Sequence, residues 1–227
     1  MKYKHICKGI FKERPNRFIA HVEIDGRVEI CHVKNTGRCK ELLVKGCEVY
    51  LEKSDNPERK TAYDLIAVKK GERLINMDSQ LPNAVVYEYL DKEKESLGIA
   101  NIKREVTHGS SRFDLWGRLK DGREFFLEVK GVTLEENGIV RFPDAPTERG
   151  IKHVEELMGC VKEGFLSAVL FVIQMEDVKW FEPNMATHPA FGEALKRAKE
   201  AGVIIKAVCC KVLPDEMKLQ EEVEVRL

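Results

Sequence analysis

The 227-residue sequence has no long apolar run. The longest, Ala168 to Ile173, is far too short to cross a bilayer, and Met1 to Arg17 is basic and broken by polar residues, without the apolar centre of a secretory leader. No membrane role is expected. Cysteine pairing is also lacking. The seven cysteines are an odd number without a C-x-x-C pair, and Cys31, Cys39 and Cys47 lie eight apart. This speaks against a disulfide framework and a cysteine-rich zinc site, and it points to the reducing cytoplasm. Net charge is zero, yet unevenly spread. Residues 1–83 hold 17 Lys or Arg against 12 Asp or Glu, a balance of +5, which leaves −5 on residues 84–227. A phosphate-binding module joined to a carboxylate-bearing one has this asymmetry, and chance also produces it.

With 43% hydrophobic and 33% charged residues, the chain can bury a full core in one large or two modest domains. Its most informative stretch is Ser111 to Trp116, an Asp121-Gly122 turn, then Phe125 to Lys130. Asp-Gly between two alternating apolar runs predicts a β-hairpin, and side chains two apart on a strand share a face. Phe113, Leu115, Leu127 and Val129 are expected on the buried face, which leaves Asp114, Glu128 and Lys130 together on the other. Two carboxylates suit Mg²⁺ or Mn²⁺, and a neighbouring Lys can orient an attacking water or neutralise a phosphate. The pattern Asp, then Glu-x-Lys, resembles the PD-(D/E)xK nuclease core, although a charged triplet on a solvated strand face has the same spacing.

Before this hairpin the sequence reads as short strands. Phe18 to Ile24 alternates up to an Asp25-Gly26 turn, Val28 to His32 returns, and Glu48–Lys53, Thr61–Val68 and Leu74–Met77 continue. Five strands, with one helical turn at Cys39–Val44 closed by Gly46, match an OB-like barrel; an irregular sheet is the alternative. Arg14, Arg17, Arg38 and Lys60 stand at strand ends and loops, where they and Thr36 beside Gly37 can meet phosphate or simply keep the surface soluble. Leu81-Pro82-Asn83 breaks the pattern, and the domain boundary is placed there, giving residues 1–83 and 84–227.

Val85 to Lys94 reads as a helix with Val85, Val86, Tyr89 and Leu90 inward, and Ile102 to Val106 as a strand. Glu105 lies upstream of Asp114, where a third acid can reach the site. Thr147 is placed as the N-cap of a helix with Ile151, Val154, Leu157, Met158 and Val161 on its apolar stripe. Arg149, Lys152 and His153 then sit at its first turns, suited to an anion or to solvent. Phe165–Gln174 and Val203–Lys211 read as strands around a helix from Pro189 to Ala201, with His188 at its amino-terminus and Gly202 as its cap. The alternation predicts a mixed α/β sheet with helices on its faces.

Five blocks in order carry a resemblance: R-x-N-R-F (Arg14–Phe18), N-T-G-R-C-K-E-L-L (Asn35–Leu43), S-R-F-D (Ser111–Asp114), L-E-V-K-G-V-T-L (Leu127–Leu134) and F-P-D-A-P-T-E-R-G-x-K-H (Phe142–His153). Together they are similar to the sugar fermentation stimulation protein A family. The resemblance implies a bacterial or archaeal protein with an OB-like amino-terminal barrel and a PD-(D/E)xK nuclease-like carboxy-terminal domain, associated with DNA. Matched position by position, Glu105, Asp114, Glu128 and Lys130 fall on the nuclease-like site. Thr187-His188-Pro189 departs from the Asp-Pro pair expected of the family. The function expected is a nuclease using Mg²⁺ or Mn²⁺ on DNA and also RNA, with Asp114 and Glu128 as metal ligands. Arg14, Arg17, Arg38, Lys60, Arg112, Arg149 and Lys152 are expected as nucleic-acid contacts. The alternative is a DNA-binding transcriptional regulator of sugar metabolism genes that no longer cuts; the intact triad favours the enzyme. Homo-oligomerisation stays open.

Overall fold

The computed structural model describes residues 1–35 and 37–227. Its amino-terminal lobe contains β1 (Ile6–Asn16), β2 (Ile19–Ile24), β3 (Arg27–Val33), β4 (Glu48–Lys53), β5 (Tyr63–Lys70) and β6 (Arg73–Asn76). β1 pairs with β2 and β4, β2 with β3, and β4 with β5, all antiparallel. β3 then returns to β5 in parallel over Cys31–Val33, which closes a five-stranded OB barrel. β6 extends the sheet from β5.

The five strands expected from the sequence therefore include one extension and omit one barrel strand. β1 escapes a periodicity search because Lys8, Lys12 and Glu13 interrupt it and only Gly9 and Phe11 are buried. A Cβ at Gly9 would stand 2.5 Å from Val22 Cγ1, so the close approach of β1 to β2 requires glycine. Between β3 and β4 the single turn at Cys39–Val44 is present. Leu42 and Leu43 donate to the Cys39 carbonyl at 3.2 and 3.0 Å, and Cys39, Leu42 and Leu43 are buried beneath the barrel.

The carboxy-terminal lobe runs α1 (Leu81–Lys92), β7 (Ile99–His108), β8 (Ser111–Leu119), β9 (Glu124–Val132), β10 (Leu134–Glu136), β11 (Ile139–Phe142), α2 (Glu148–Lys162), β12 (Leu166–Ile173), β13 (Trp180–Pro183), α3 (Pro189–Glu200), β14 (Ile204–Leu213) and β15 (Glu216–Val223). Its main sheet has the order β15-β14-β12-β9-β8-β7, parallel at the centre and antiparallel at both ends. The chain is thus an all-β barrel followed by a mixed α/β sheet with flanking helices. Central β12 is apolar without a break from Ala168 to Ile173 because both of its faces are covered. Val154 and Leu157 of α2 and Phe191 of α3 pack with Phe126 and Phe171 on one side. Val85 and Val86 of α1 pack with Leu115, Leu127 and Val129 on the other.

Two local expectations are corrected. Pro82 opens α1, because a proline in the first turn lacks only an N–H that has no helical partner there. Tyr89, expected inward, is 45% exposed. β10, β11, β13 and β15 were not anticipated, since they are short or, like β15 with Glu216, Lys218, Glu221 and Glu222, carry the composition of a solvated segment. No helix among the described residues is long and apolar enough to cross a membrane.

The lobes are fastened along β6. Gln174 Nε2 donates to the Asn76 and Asp78 carbonyls and to Asn76 Oδ1, and Asn76 N–H donates to the Gln174 carbonyl at 3.0 Å. Buried Glu135 accepts from Lys70 Nζ at 2.8 Å and pairs with Arg73 Nη1 at 2.9 Å.

Candidate active site

The β8–β9 hairpin forms as the sequence predicts. Its turn closes through Leu119 N–H to the Arg123 carbonyl at 2.8 Å, with Gly122 at φ +92°. The ladder runs from Arg118 opposite Glu124 to Leu115 opposite Leu127, and there it ends. Beyond it Val129 N–H donates to Asp114 Oδ2 at 2.8 Å, so a carboxylate takes the place of a strand carbonyl. Facing alternation breaks at the same point. Leu115 packs with Leu127 and Val129, whereas Phe113 packs on the opposite side with Phe126, ring centroids 4.9 Å apart. This corrects the placement of Phe113 with Leu127 and Val129. On β7, Arg104 and Val106 pair with Leu115 and Phe113, and Glu105 between them has φ +56°, a conformation that residues other than glycine seldom adopt. The kink thus spans both strands and turns Asp114 toward the end of the ladder.

Asp114, Glu128 and Lys130 do come together. Lys130 Nζ lies 2.5 Å from Glu128 Oε1, and the same oxygen is bonded by His153 Nδ1 of α2. Arg149 Nε donates to His153 Nε2 at 3.3 Å. Asp114 Oδ1 accepts from Asn83 Nδ2, in the first turn of α1, at 2.7 Å. Burial pushes the Asp114 carboxyl above its ordinary range and the charge of Glu128 adds to it, against the Val129 N–H, Lys130 and Asn83. Burial also pushes Glu128 upward, but the hydrogen bonds from His153 and Lys130 outweigh it and hold Glu128 below the usual range.

These residues fit a divalent cation. Glu128 is 2% exposed, and its Oε2 is buried without a hydrogen-bond partner. Such an atom loses its hydration for nothing unless a cation or donor meets it. Among the described residues no three His, Cys, Asp or Glu side chains form a closed cage. Two carboxylates with remaining positions for water and phosphate oxygens match Mg²⁺ or Mn²⁺ better than a structural zinc site.

His153 and Asn83 are the participants that the sequence reading did not assign. His153, there left between anion contact and solvent, is buried. It follows Arg149 by one helical turn and adjoins Val154 on the inward stripe, which is the signal that could have found it. Thr147 caps α2 as expected, its Oγ1 accepting from Gly150 N–H at 3.0 Å, and His188 Nδ1 receives the Thr147 N–H at 3.2 Å.

The other expected site residues lie apart. Glu105 is exposed and ion-paired to exposed Arg112 at 2.8 Å, with no bond to Asp114, Glu128 or Lys130. Lys152 is exposed, 3.7 Å from Glu156. Arg14 lines the same cavity as Arg17 and Arg38, but its guanidinium is tied into its own loop. Its two terminal nitrogens donate to the carbonyls of Gly37, Arg38, Arg17 and Asn35 at 2.6–2.9 Å, so Arg14 builds the loop. Thr36 lies outside the described residues. Arg17, Arg38 and Lys60 are exposed and have no ion-pair partner among the described residues. Arg17, Arg38, Asn16 and Lys40 line a cavity of 540 Å³. Gly37 lines it too, and also lines a 180 Å³ cavity that reaches Gly131, the residue after Lys130. A larger cavity of 730 Å³ contains neither carboxylate, and its Arg141 is paired with Glu136 and Glu182.

Residues 13–77 match the family model described as SfsA N-terminal OB domain, and residues 80–216 the one described as sugar fermentation stimulation protein RE domain. A sugar fermentation stimulation protein homolog of Clostridium beijerinckii is 56% identical over 227 residues, covering all of both chains. One from Ruminiclostridium cellulolyticum is likewise 56% identical over the full length of both. A solved structure of Pyrococcus furiosus SfsA in complex with Ca²⁺ superposes with a TM-score of 0.90 at 31% identity, over 100% of this chain and 98% of that one.

Proposed function

The chain belongs to the sugar fermentation stimulation protein family, and from that premise we propose that it is a divalent-metal-dependent nuclease that hydrolyses phosphodiester bonds in DNA, and in RNA as a second substrate. The observation that carries this reading is Glu128 Oε2, a buried, unpartnered carboxylate oxygen in a site shared with Asp114 and Lys130. The Ca²⁺ held by the Pyrococcus furiosus relative supports a divalent ion here as well. Asp114 and Glu128 would hold Mg²⁺ or Mn²⁺. When bound, such an ion lowers the pKa of a water and screens phosphate charge. Lys130 is the group placed to orient the attacking water, because its ammonium is anchored on Glu128 Oε1 and its side chain is still 15% exposed. Asn83 and the Val129 N–H hold Asp114 from two elements, so its carboxylate needs little reorganisation when substrate arrives. Arg17, Arg38 and Lys40 supply backbone affinity through the cavity that adjoins the passage toward Gly131.

The test is single-turnover cleavage of labelled DNA and RNA with Mg²⁺, Mn²⁺ or chelator. Lys130→Ala should retain DNA binding and lose about 10²- to 10⁴-fold in rate, as positioned acid–base groups typically contribute. Equal rates in wild type and Lys130→Ala would trace the activity to a contaminant and sink the reading. Salt-sensitive DNA binding without cleavage under any metal would establish the regulator instead.

A further inference from the structure

The Glu128 carboxylate has two chemically equivalent oxygens, and only one can be the free one. A single bond to Lys130 does not decide which, because a flexible ammonium follows either oxygen as the carboxylate turns. A second donor from another direction does decide it. His153 is that donor: its ring is buried on α2, whose first turn is fixed by the Thr147 cap, and its Nδ1 reaches Glu128 Oε1 from that helix rather than from the strand that carries Glu128 and Lys130.

The hydrogen bonds also set the tautomer. Arg149 Nε carries a hydrogen and can only donate, so His153 Nε2 must accept, and the ring proton is on Nδ1, facing the carboxylate. Arg149 is itself exposed and lies one helical turn before His153. The order Arg149, His153, Glu128 is therefore a directed chain of donors that ends on Oε1 and leaves Oε2 buried and without a partner.

We propose that His153, locked by Arg149, is a positioning residue that orients Glu128 so that Oε2 is presented to the divalent ion; this rests on the metal-dependent reading above. In this role His153 acts through Glu128 and is not itself a ligand of the ion. Partners behind metal-ligating groups typically account for about 10- to 100-fold in metal affinity. His153→Ala should fall in that range. His153→Asn, whose amide N–H can take the place of Nδ1–H, should recover most of the loss. Arg149→Lys keeps the positive charge but removes the Nε donor, and it should weaken metal binding in the wild-type background. In the His153→Asn background it should add nothing further, since there is no ring nitrogen left to lock.

The experiment is a titration of each metal-free full-length protein with Mn²⁺ by calorimetry, with thermal melting of the same samples. The wild type should bind one Mn²⁺ at a site that Glu128→Gln weakens. If the wild type binds no Mn²⁺ there, the metal-dependent reading fails and this proposal with it. If the wild type binds but His153→Ala binds equally well, the positioning role alone is overturned. A loss in His153→Ala that Asn does not recover, or that merely follows the fall in melting temperature, would assign His153 to the core.

Discussion

Replacing Glu135 by Gln removes the negative charge that pairs with Lys70 and Arg73 across the junction of the two lobes. Glu135 is 5% exposed, accepts from Lys70 Nζ at 2.8 Å and from Gly138 N–H at 2.5 Å, and is ion-paired with Arg73 Nη1 at 2.9 Å. In the variant the two cations face each other without a counter-charge. Breaking a fully buried pair from one side costs about 3–5 kcal/mol. Here Lys70 and Arg73 remain 32% and 23% exposed and keep the carbonyls of Glu135, Glu176 and Asp177, so about 2–4 kcal/mol is expected. For a protein of this size that corresponds to a melting temperature lower by about 5–15 °C at pH 7. Burial acts to raise the Glu135 carboxyl, but Lys70, the Gly138 N–H and Arg73 together hold it below the ordinary range. Its contribution is therefore fully present above the unfolded pKa of about 4.3, and is lost as pH falls through the lower folded value. Calorimetric melts of wild type and Glu135→Gln should differ at pH 7, and the gap should shrink as pH falls from about 4.3 through the lower folded value. Equal melting temperatures at pH 7, or a gap that does not change with pH, would refute the assignment of this cluster as the fastening of the lobes.

Two further predictions concern the amino-terminal cations. Arg17→Ala and Arg38→Ala together should reduce the log–log salt slope of duplex DNA binding by about 1.8, at 0.9 per lost phosphate contact, and an unchanged slope would move the footprint elsewhere. Arg14→Lys keeps the charge but cannot reproduce the four carbonyl bonds, so thermal stability should drop by about 2 kcal/mol and DNA affinity should fall with it. Were Arg14 a phosphate contact instead, affinity would fall while the melting temperature stayed where it was.

What the sequence by itself determined is what depends on neighbours along the chain. The Asp121-Gly122 turn fixes the β8–β9 hairpin, and the two-residue period then puts Glu128 and Lys130 on one face. Thr147 marks the start of α2 and Gly202 the end of α3, and the apolar run Ala168–Ile173 in β12 marks the covered centre of the sheet. Tertiary structure alone decided the rest, because those features depend on segments distant in sequence. β1 is a strand by virtue of the barrel closing on both of its edges, not of its own polar composition. Arg14 reads as a free loop cation until the carbonyls of residues 17 to 38 fold around it, and Glu105 reads as a third acid until the kink at φ +56° leaves it paired with Arg112. His153 and Asn83 lie 25 and 31 residues from the carboxylates they hold, so no local period could assign them. Only the packing of α2 and α1 on opposite faces of the sheet brings them to Glu128 and Asp114, and that packing leaves a single oxygen of the pair buried and unpartnered.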